Sequence, residues 1–165
     1  MIKIKPATAT LHYSLIETLA DTIWREHYIP IVGKPQIDYM LDKFQSVMAI
    51  EKQVEDGFEY FSIFYNGTLV GYISIKQETN ALFLSKIYVL SYYRGKKIGK
   101  TAMEFIEQKA NIYQLKNIRL TVNINNTNSI KAYEKIGFKN VGPLVTDIGN
   151  GFVMDDYEMV KLVRS

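Results

Sequence analysis

Three strand-like runs in succession, followed by a helix and another strand, constrain this chain more than any other feature. Phe58–Tyr65 is rich in aromatic residues and extended in character. Asn66-Gly67 is the strongest short-range hairpin signal, and Leu69–Ile75 is the returning strand. Ala81–Leu90 is apolar on both faces, which predicts a central, buried strand. A helix is expected from about Lys97 to Tyr113, with Ile98, Met103, Phe105, Ile106 and Ala110 on its apolar face, and then a strand at Ile118–Val122. A strand–helix–strand unit implies one parallel pair in an otherwise antiparallel sheet.

The flanks extend this pattern. Ile2 and Ile4 alternate with lysines as a short first strand. Thr8 or Thr10 suits the cap of a helix reaching about Tyr28, striped by Leu11, Leu15, Ile16, Leu19, Ile23 and His27. Pro30, Gly33 and Pro35 should interrupt the chain. Pro35 opens a second helix, and Ser46 caps a third that ends near Glu55. Asn126 or Asn128 suits the cap of a short helix ending at Gly137, and a last strand pair flanks Gly149-Asn150-Gly151. The expected fold is a single α/β domain over residues 1–165: a mixed, mostly antiparallel twisted sheet with helices on both faces.

Composition narrows the chemistry. With no cysteine, disulfides, thiolate catalysis, zinc fingers and iron–sulfur clusters are excluded, and two histidines make a multi-histidine metal site a poor reading. A net charge of +3 without a basic tail does not point to nucleic acid. No run approaches the ~18 apolar residues of a membrane span, and the N-terminus lacks the apolar stretch of a secretion signal. The expectation is a cytoplasmic protein without a membrane or nucleic-acid partner, either a monomer or a homodimer.

The segment Tyr93-Arg94-Gly95-Lys96-Lys97-Ile98-Gly99-Lys100 lies between the buried strand and a helix. A helix N-terminus offers unpaired N–H groups and partial positive charge, which suits phosphate. Gly95 and Gly99 let the backbone approach a ligand, and Arg94, Lys96, Lys97 and Lys100 supply charge. A glycine-containing turn with a solvated basic edge explains the same residues. The spacing is neither that of a P-loop nor that of a dinucleotide fingerprint.

Two motifs together resemble the GNAT family, the GCN5-related N-acetyltransferases. One is Ile87-Tyr88-Val89 followed by Arg94 to Gly99, similar to the family's Arg/Gln-x-x-Gly-x-Gly/Ala loop. The other is Asn126-Thr127-Asn128-Ser129-Ile130-Lys131-Ala132-Tyr133-Glu134-Lys135-Ile136-Gly137-Phe138. The likeness covers roughly residues 58–162. It departs at Lys97, where the family has a glycine. The resemblance implies acetyl-CoA as cofactor, held by the main chain of Ile87, Tyr88 and Val89, by the loop Arg94, Gly95, Lys96, Lys97, Ile98, Gly99 and Lys100, and by Asn126 and Tyr133.

Acetyl transfer needs a polarised thioester carbonyl, a neutral amine and a proton for the departing thiolate. The resemblance assigns the first to backbone N–H near Val89, exposed by a splay between the third strand and Ile118–Val122. It assigns the last to the phenol of Tyr133, which otherwise packs in a core stripe with Ile130 and Ile136. Glu26, His27, Asp155 and Asp156 are the candidates for taking the amine's proton. The resemblance places the acceptor against the first helices and the last hairpin: Trp24, His27, Tyr28, Gln36, Tyr39, Met40, Phe152 and Asp155. The run Gly151–Met159 looks like that of bacterial relatives near the polyamine acetyltransferases, and aromatics with carboxylates suit a cationic amine. The leading expectation is a small-molecule primary amine, polyamine-like, acetylated by direct attack in a ternary complex. The alternatives are a protein or peptide acceptor, and a non-catalytic acyl-CoA sensor.

Overall fold

A computed structural model describes residues 1–164. In chain order the elements are β1 (Ile2–Ala7), α1 (Thr10–Val32), α2 (Lys34–Gln45), α3 (Val47–Glu55), β2 (Phe58–Tyr65), β3 (Thr68–Gln77), β4 (Leu82–Val89), α4 (Ile98–Ile112), β5 (Asn117–Asn123), α5 (Thr127–Lys135), β6 (Lys139–Gly149) and β7 (Phe152–Leu162). The strands form one sheet in the order β1-β2-β3-β4-β5-β7-β6. Only β4 and β5 run parallel, joined through α4. This is the expected mixed, mostly antiparallel sheet.

Helices cover both faces. α1, α2 and α3 lie on one, over Tyr60 and Tyr72. α4 lies on the other, over Phe61, Ile63, Val70, Ile73, Ile75 and Ile118, with Ile130 and Tyr133 of α5 at its margin. The buried stripe of α1 is Ile16, Leu19, Ala20, Ile23 and Trp24, and each large member contributes about 1.5–3 kcal/mol by leaving water. No helix among the described residues is long and apolar enough to cross a membrane.

Three expectations about helix ends need correction. α1 does not stop near Tyr28: it runs through Pro30 to Val32 and ends at Gly33, whose φ is 87°. The proline removes one N–H from the last turn, and packing of the stripe below it carries the helix on. Neither Thr8 nor Thr10 caps α1. Ala9 occupies the N-cap position, and the His12 ring Nδ1 accepts from the N–H groups of Thr8 (3.0 Å) and Ala9 (3.1 Å) instead. Asn126 is the N-cap residue of α5, but its side chain makes no capping bond. Ser46, by contrast, caps α3 as expected, accepting from the N–H of Ala49 at 3.2 Å.

The expectation for β4 was half right. It is the central strand, yet only Leu82 and Leu84 are fully buried, and the residues from Ser85 to Val89 are half-buried. Against β3 the ladder runs from Leu82 to Val89. Against β5 it consists of two pairs, Leu82↔Ile118 and Phe83↔Arg119, and then opens.

Candidate active site

The gap between β4 and β5 is a cleft of about 580 Å³. Its donors come from the pairing of β4 with β3. Leu90 N–H donates to Val70 O at 2.8 Å, flanking the pair Gly71↔Val89. That makes Gly71↔Val89, and Ile73↔Ile87 two residues on, non-hydrogen-bonded pairs. The N–H groups of Ile87 and Val89 therefore turn to the opposite edge, where β5 has already diverged. Gly71 enables this close seam, since a Cβ there would sit 2.3 Å from Tyr88 O.

Tyr133 on α5 lines the cleft, and so do His27, Tyr28, Arg94, Asn126 and Ser85. The Tyr133 ring packs edge-on against Phe138 at 5.6 Å. Its hydroxyl has no hydrogen-bond partner among the described residues. Burial first, and the Tyr28 phenol second, push its pKa well above the ordinary value, so it holds its proton throughout the physiological range.

On the α4 side the cleft continues into a depression of about 630 Å³ bordered by Ile87, Val89, Gly99, Lys100, Met103 and Tyr133. α4 begins at Ile98 with no side-chain cap and no acidic residue in its first turn, so its first N–H groups are free for an anion. Nothing lies within 4 Å of the Cβ position of Gly99. Arg94, Lys96, Lys97 and Lys100 are all exposed around this end. Lys97, where a glycine was expected, adopts the left-handed conformation that glycine favours, with φ 63°, and its side chain lies in solvent. The Ile98 side chain is 2% exposed and anchors α4 in the core, so this residue has only its backbone N–H to offer a ligand.

On the α1–α2 side the cleft meets a second, smaller pocket of about 140 Å³, with Tyr28, Ser85, Tyr88, Thr121 and Val122 shared between the two. Its walls include Trp24, Met40 and Phe44, and its polar groups include Gln36, Lys86, Asn123 and Asp156. Tyr28 and Tyr88, joined Oη to Oη at 2.8 Å, stand between the two spaces. Trp24 is 3% exposed and donates its indole N–H to Tyr72 Oη at 2.9 Å. It is a core residue that offers one edge to this pocket.

The four proton-acceptor candidates separate sharply. Glu26 accepts from the Ser91 hydroxyl at 2.5 Å and lines neither space. His27 lies 3.0 Å from Asn126 Nδ2 through Nε2. Burial, and then Arg94, lower its pKa, against a raising influence from Glu26. Asp155 is exposed and outside the pocket, so its expected place there is corrected. Asp156 is 5% exposed, faces the pocket and has no hydrogen bond or ion pair among the described residues. Burial first, and Asp155 second, raise its pKa to about 6.

Tyr39 and Phe152 are also not where the sequence placed them. Their rings meet at 5.5 Å, and Tyr39 Oη donates to Ile148 O at 2.6 Å. They fasten the last hairpin to α2 and line neither space. Sequence reasoning missed Ser85, Lys86, Thr121 and Asn123. Lys86 was the findable one: it is a lone charge within the apolar run Leu82–Val89.

The acetyltransferase (GNAT) family matches residues 16–138 of this chain, and the chain belongs to that family. Acetyl-CoA is the family's cofactor. A probable spermine N(1)-acetyltransferase of Bacillus subtilis subsp. natto is 28% identical over 91 residues, covering 50% of this chain and 60% of its own length. The chain thus matches about three-fifths of that relative. A spermidine N(1)-acetyltransferase of Thermoplasma acidophilum is 28% identical over 151 residues, 86% of this chain and 88% of that one. In structure, the PaiA N-acetyltransferase of Thermoplasma acidophilum in complex with coenzyme A superposes with a TM-score of 0.79 at 23% identity, covering 98% and 99% of the two chains.

Proposed function

We propose that this chain transfers the acetyl group of acetyl-CoA to a primary amine of a small molecule, by direct attack with both substrates bound. One observation carries the proposal: a continuous passage runs through the sheet where β4 and β5 part, with a basic, uncapped helix end on one side and an aromatic pocket holding an unpartnered carboxylate on the other. The relatives named for spermine and spermidine make the amine end of a polyamine the first acceptor to test.

Acetyl-CoA, when bound, supplies an acetyl thioester. Its pyrophosphate suits the first turn of α4, with Arg94, Lys97 and Lys100 around it. Gly95, at φ 80°, turns the chain there. Lys96 leans its ammonium over the Tyr65 ring at 5.8 Å and contributes charge from the rim. The N–H groups of Ile87 and Val89, turned to the open edge, would be the donors for the thioester carbonyl and would stabilise negative charge on its oxygen. Asp156 takes the proton that the incoming ammonium must lose. With its pKa near 6 it is charged at neutral pH yet far more basic than an exposed aspartate. Tyr133, which lines the cleft and keeps its proton, would be the donor for the departing sulfur. Asn126 orients His27 across the mouth of the cleft and faces the cofactor's path.

The direct test is thiol release from acetyl-CoA with spermidine, spermine, short primary alkylamines and lysine-containing peptides as acceptors. Turnover on the small amines is expected. Turnover confined to peptides would move the acceptor class, and saturable acetyl-CoA binding with no turnover on any amine would replace catalysis by sensing.

A further inference from the structure

We infer that the acceptor pocket takes an amine that also bears a carboxylate, Lys86 holding the acidic group and Asp156 the amine; this rests on the acetyl-transfer reading of the same pocket. A polycation alone has no use for Lys86. The residue rises from β4 into the pocket that Asp156 enters from β7. β5 lies between those strands, so their backbones stand about 10 Å apart, or more where the seam opens. No ion pair joins Lys86 to any carboxylate among the described residues, and Asp156 has no cationic partner. Among the described residues, the one hydrogen bond of the Lys86 ammonium is to the Ser85 hydroxyl, at 2.7 Å.

The half-buried Lys86 ammonium has only a neutral hydroxyl beside it and the buried Asp156 carboxylate has no partner among the described residues, so neither charge is neutralised within the protein. A ligand with both charges compensates the two at once. The flexible four-carbon stem of lysine adapts to the position of the acid. Burial lowers the Lys86 pKa to about 8, so the side chain still carries its charge over most of the neutral range. The volume of about 140 Å³, roughly five waters' worth, fits a short amino acid whose two charged ends stand several bonds apart.

The test compares matched acceptors: 4-aminobutyrate against butylamine, and 6-aminohexanoate against hexylamine. Thiol release and calorimetric titration of the cofactor-free protein are measured for each, with spermidine alongside. In the unmodified chain the amino acid should exceed its alkylamine in kcat/KM by about tenfold or more, the worth of one charge-assisted hydrogen bond. The ratio should fall toward one in Lys86→Met and return in part in Lys86→Arg. Equal rates within each pair in the unmodified chain, or a ratio unchanged in a folded Lys86→Met, overturn the inference and leave amine acetylation standing. Spermidine exceeding both amino acids by the same margin also overturns it. Absence of turnover on every amine sinks the transfer reading alone; the titration then decides. Binding of the amino acids that is lost in Lys86→Met sustains the inference, and no binding ends it. Should Lys86→Met fail to fold, Lys86→Gln replaces it, and the matched ratios in the unmodified chain remain decisive.

Discussion

The two edges of β4 share one sequence and have opposite fates. Toward β3 the strand is paired from Leu82 to Val89 with one irregularity at Ser85, and the seam is tight enough that Gly71 accepts no side chain. Toward β5 it makes two residue pairs and lets go. The closed edge fixes where the backbone of Ile87 and Val89 lies. The open edge leaves their N–H groups facing a cleft. The side chains proposed to act at the reacting and acceptor ends, Tyr133, Asp156 and Lys86, line the spaces beside the open edge, while the basic groups for the pyrophosphate gather at the start of α4. A sheet becomes a reactive surface where its hydrogen bonding is interrupted, provided the neighbouring seam is rigid enough to hold the interruption in place.

The sharpest way to break that contrast is on the open side. Tyr133→Phe should lower kcat by ~10²-fold or more, about 2.7 kcal/mol of barrier, while acetyl-CoA affinity measured by calorimetry stays nearly unchanged. An unchanged rate would remove Tyr133 from proton donation and leave it as packing for Phe138. Gly71→Ala attacks the closed side. Its Cβ meets a backbone carbonyl rather than a flexible side-chain end, so the strands must separate, at a cost of about 1–3 kcal/mol seen as a lower Tm. Loss of activity in step with stability would tie the two edges together. An intact Tm would show that the seam yields.

Asp156→Asn should separate function from stability. The carboxyl titrates near 6 in the folded chain and near 3.8 when unfolded. The folded chain therefore binds more protons between those values, and stability falls as pH rises through the window. The asparagine variant lacks that fall. It should be more stable at pH 7 by ~2 kcal/mol, with the difference vanishing below about pH 4, as followed by denaturant melts at several pH values. Its kcat/KM should lose the rising limb near pH 6 that the unmodified chain shows. The smallest effect belongs to the loop. Lys97→Gly releases a left-handed lysine and should stabilise by up to about 1 kcal/mol, with a weaker salt dependence of cofactor binding as the charge is lost.

Much of this was legible beforehand, for local reasons. Asn66-Gly67 specified its hairpin, and Pro35 and Ser46 marked their helix starts correctly. The strand–helix–strand run announced the one parallel pair. The loop from Arg94 and the helix from Asn126 to Phe138 identified the family. What escaped was decided by competition between distant groups. Pro30 reads as a breaker because the proline rule is local, whereas the helix is held by Trp24 and Ile23 packing on the sheet. Asn126 reads as a capping side chain, but His27, 99 residues away in sequence, takes its amide. Asp155 and Asp156 are indistinguishable as neighbours in the sequence. The strand alternation of β7 puts one in water and the other beneath α1 and α2. Tyr39 and Phe152 found each other instead of a ligand.

The sequence by itself determined the order of elements, the family and the basic loop that starts α4, because hydrophobic period, turn residues and short motifs act over a few residues. The tertiary structure alone decided which carboxylate is buried, which N–H groups lack partners and where Lys86 points. Those outcomes follow from the divergence of β5 from β4, and the divergence arises from how two strands and their covering helices pack, which no stretch of either strand encodes alone.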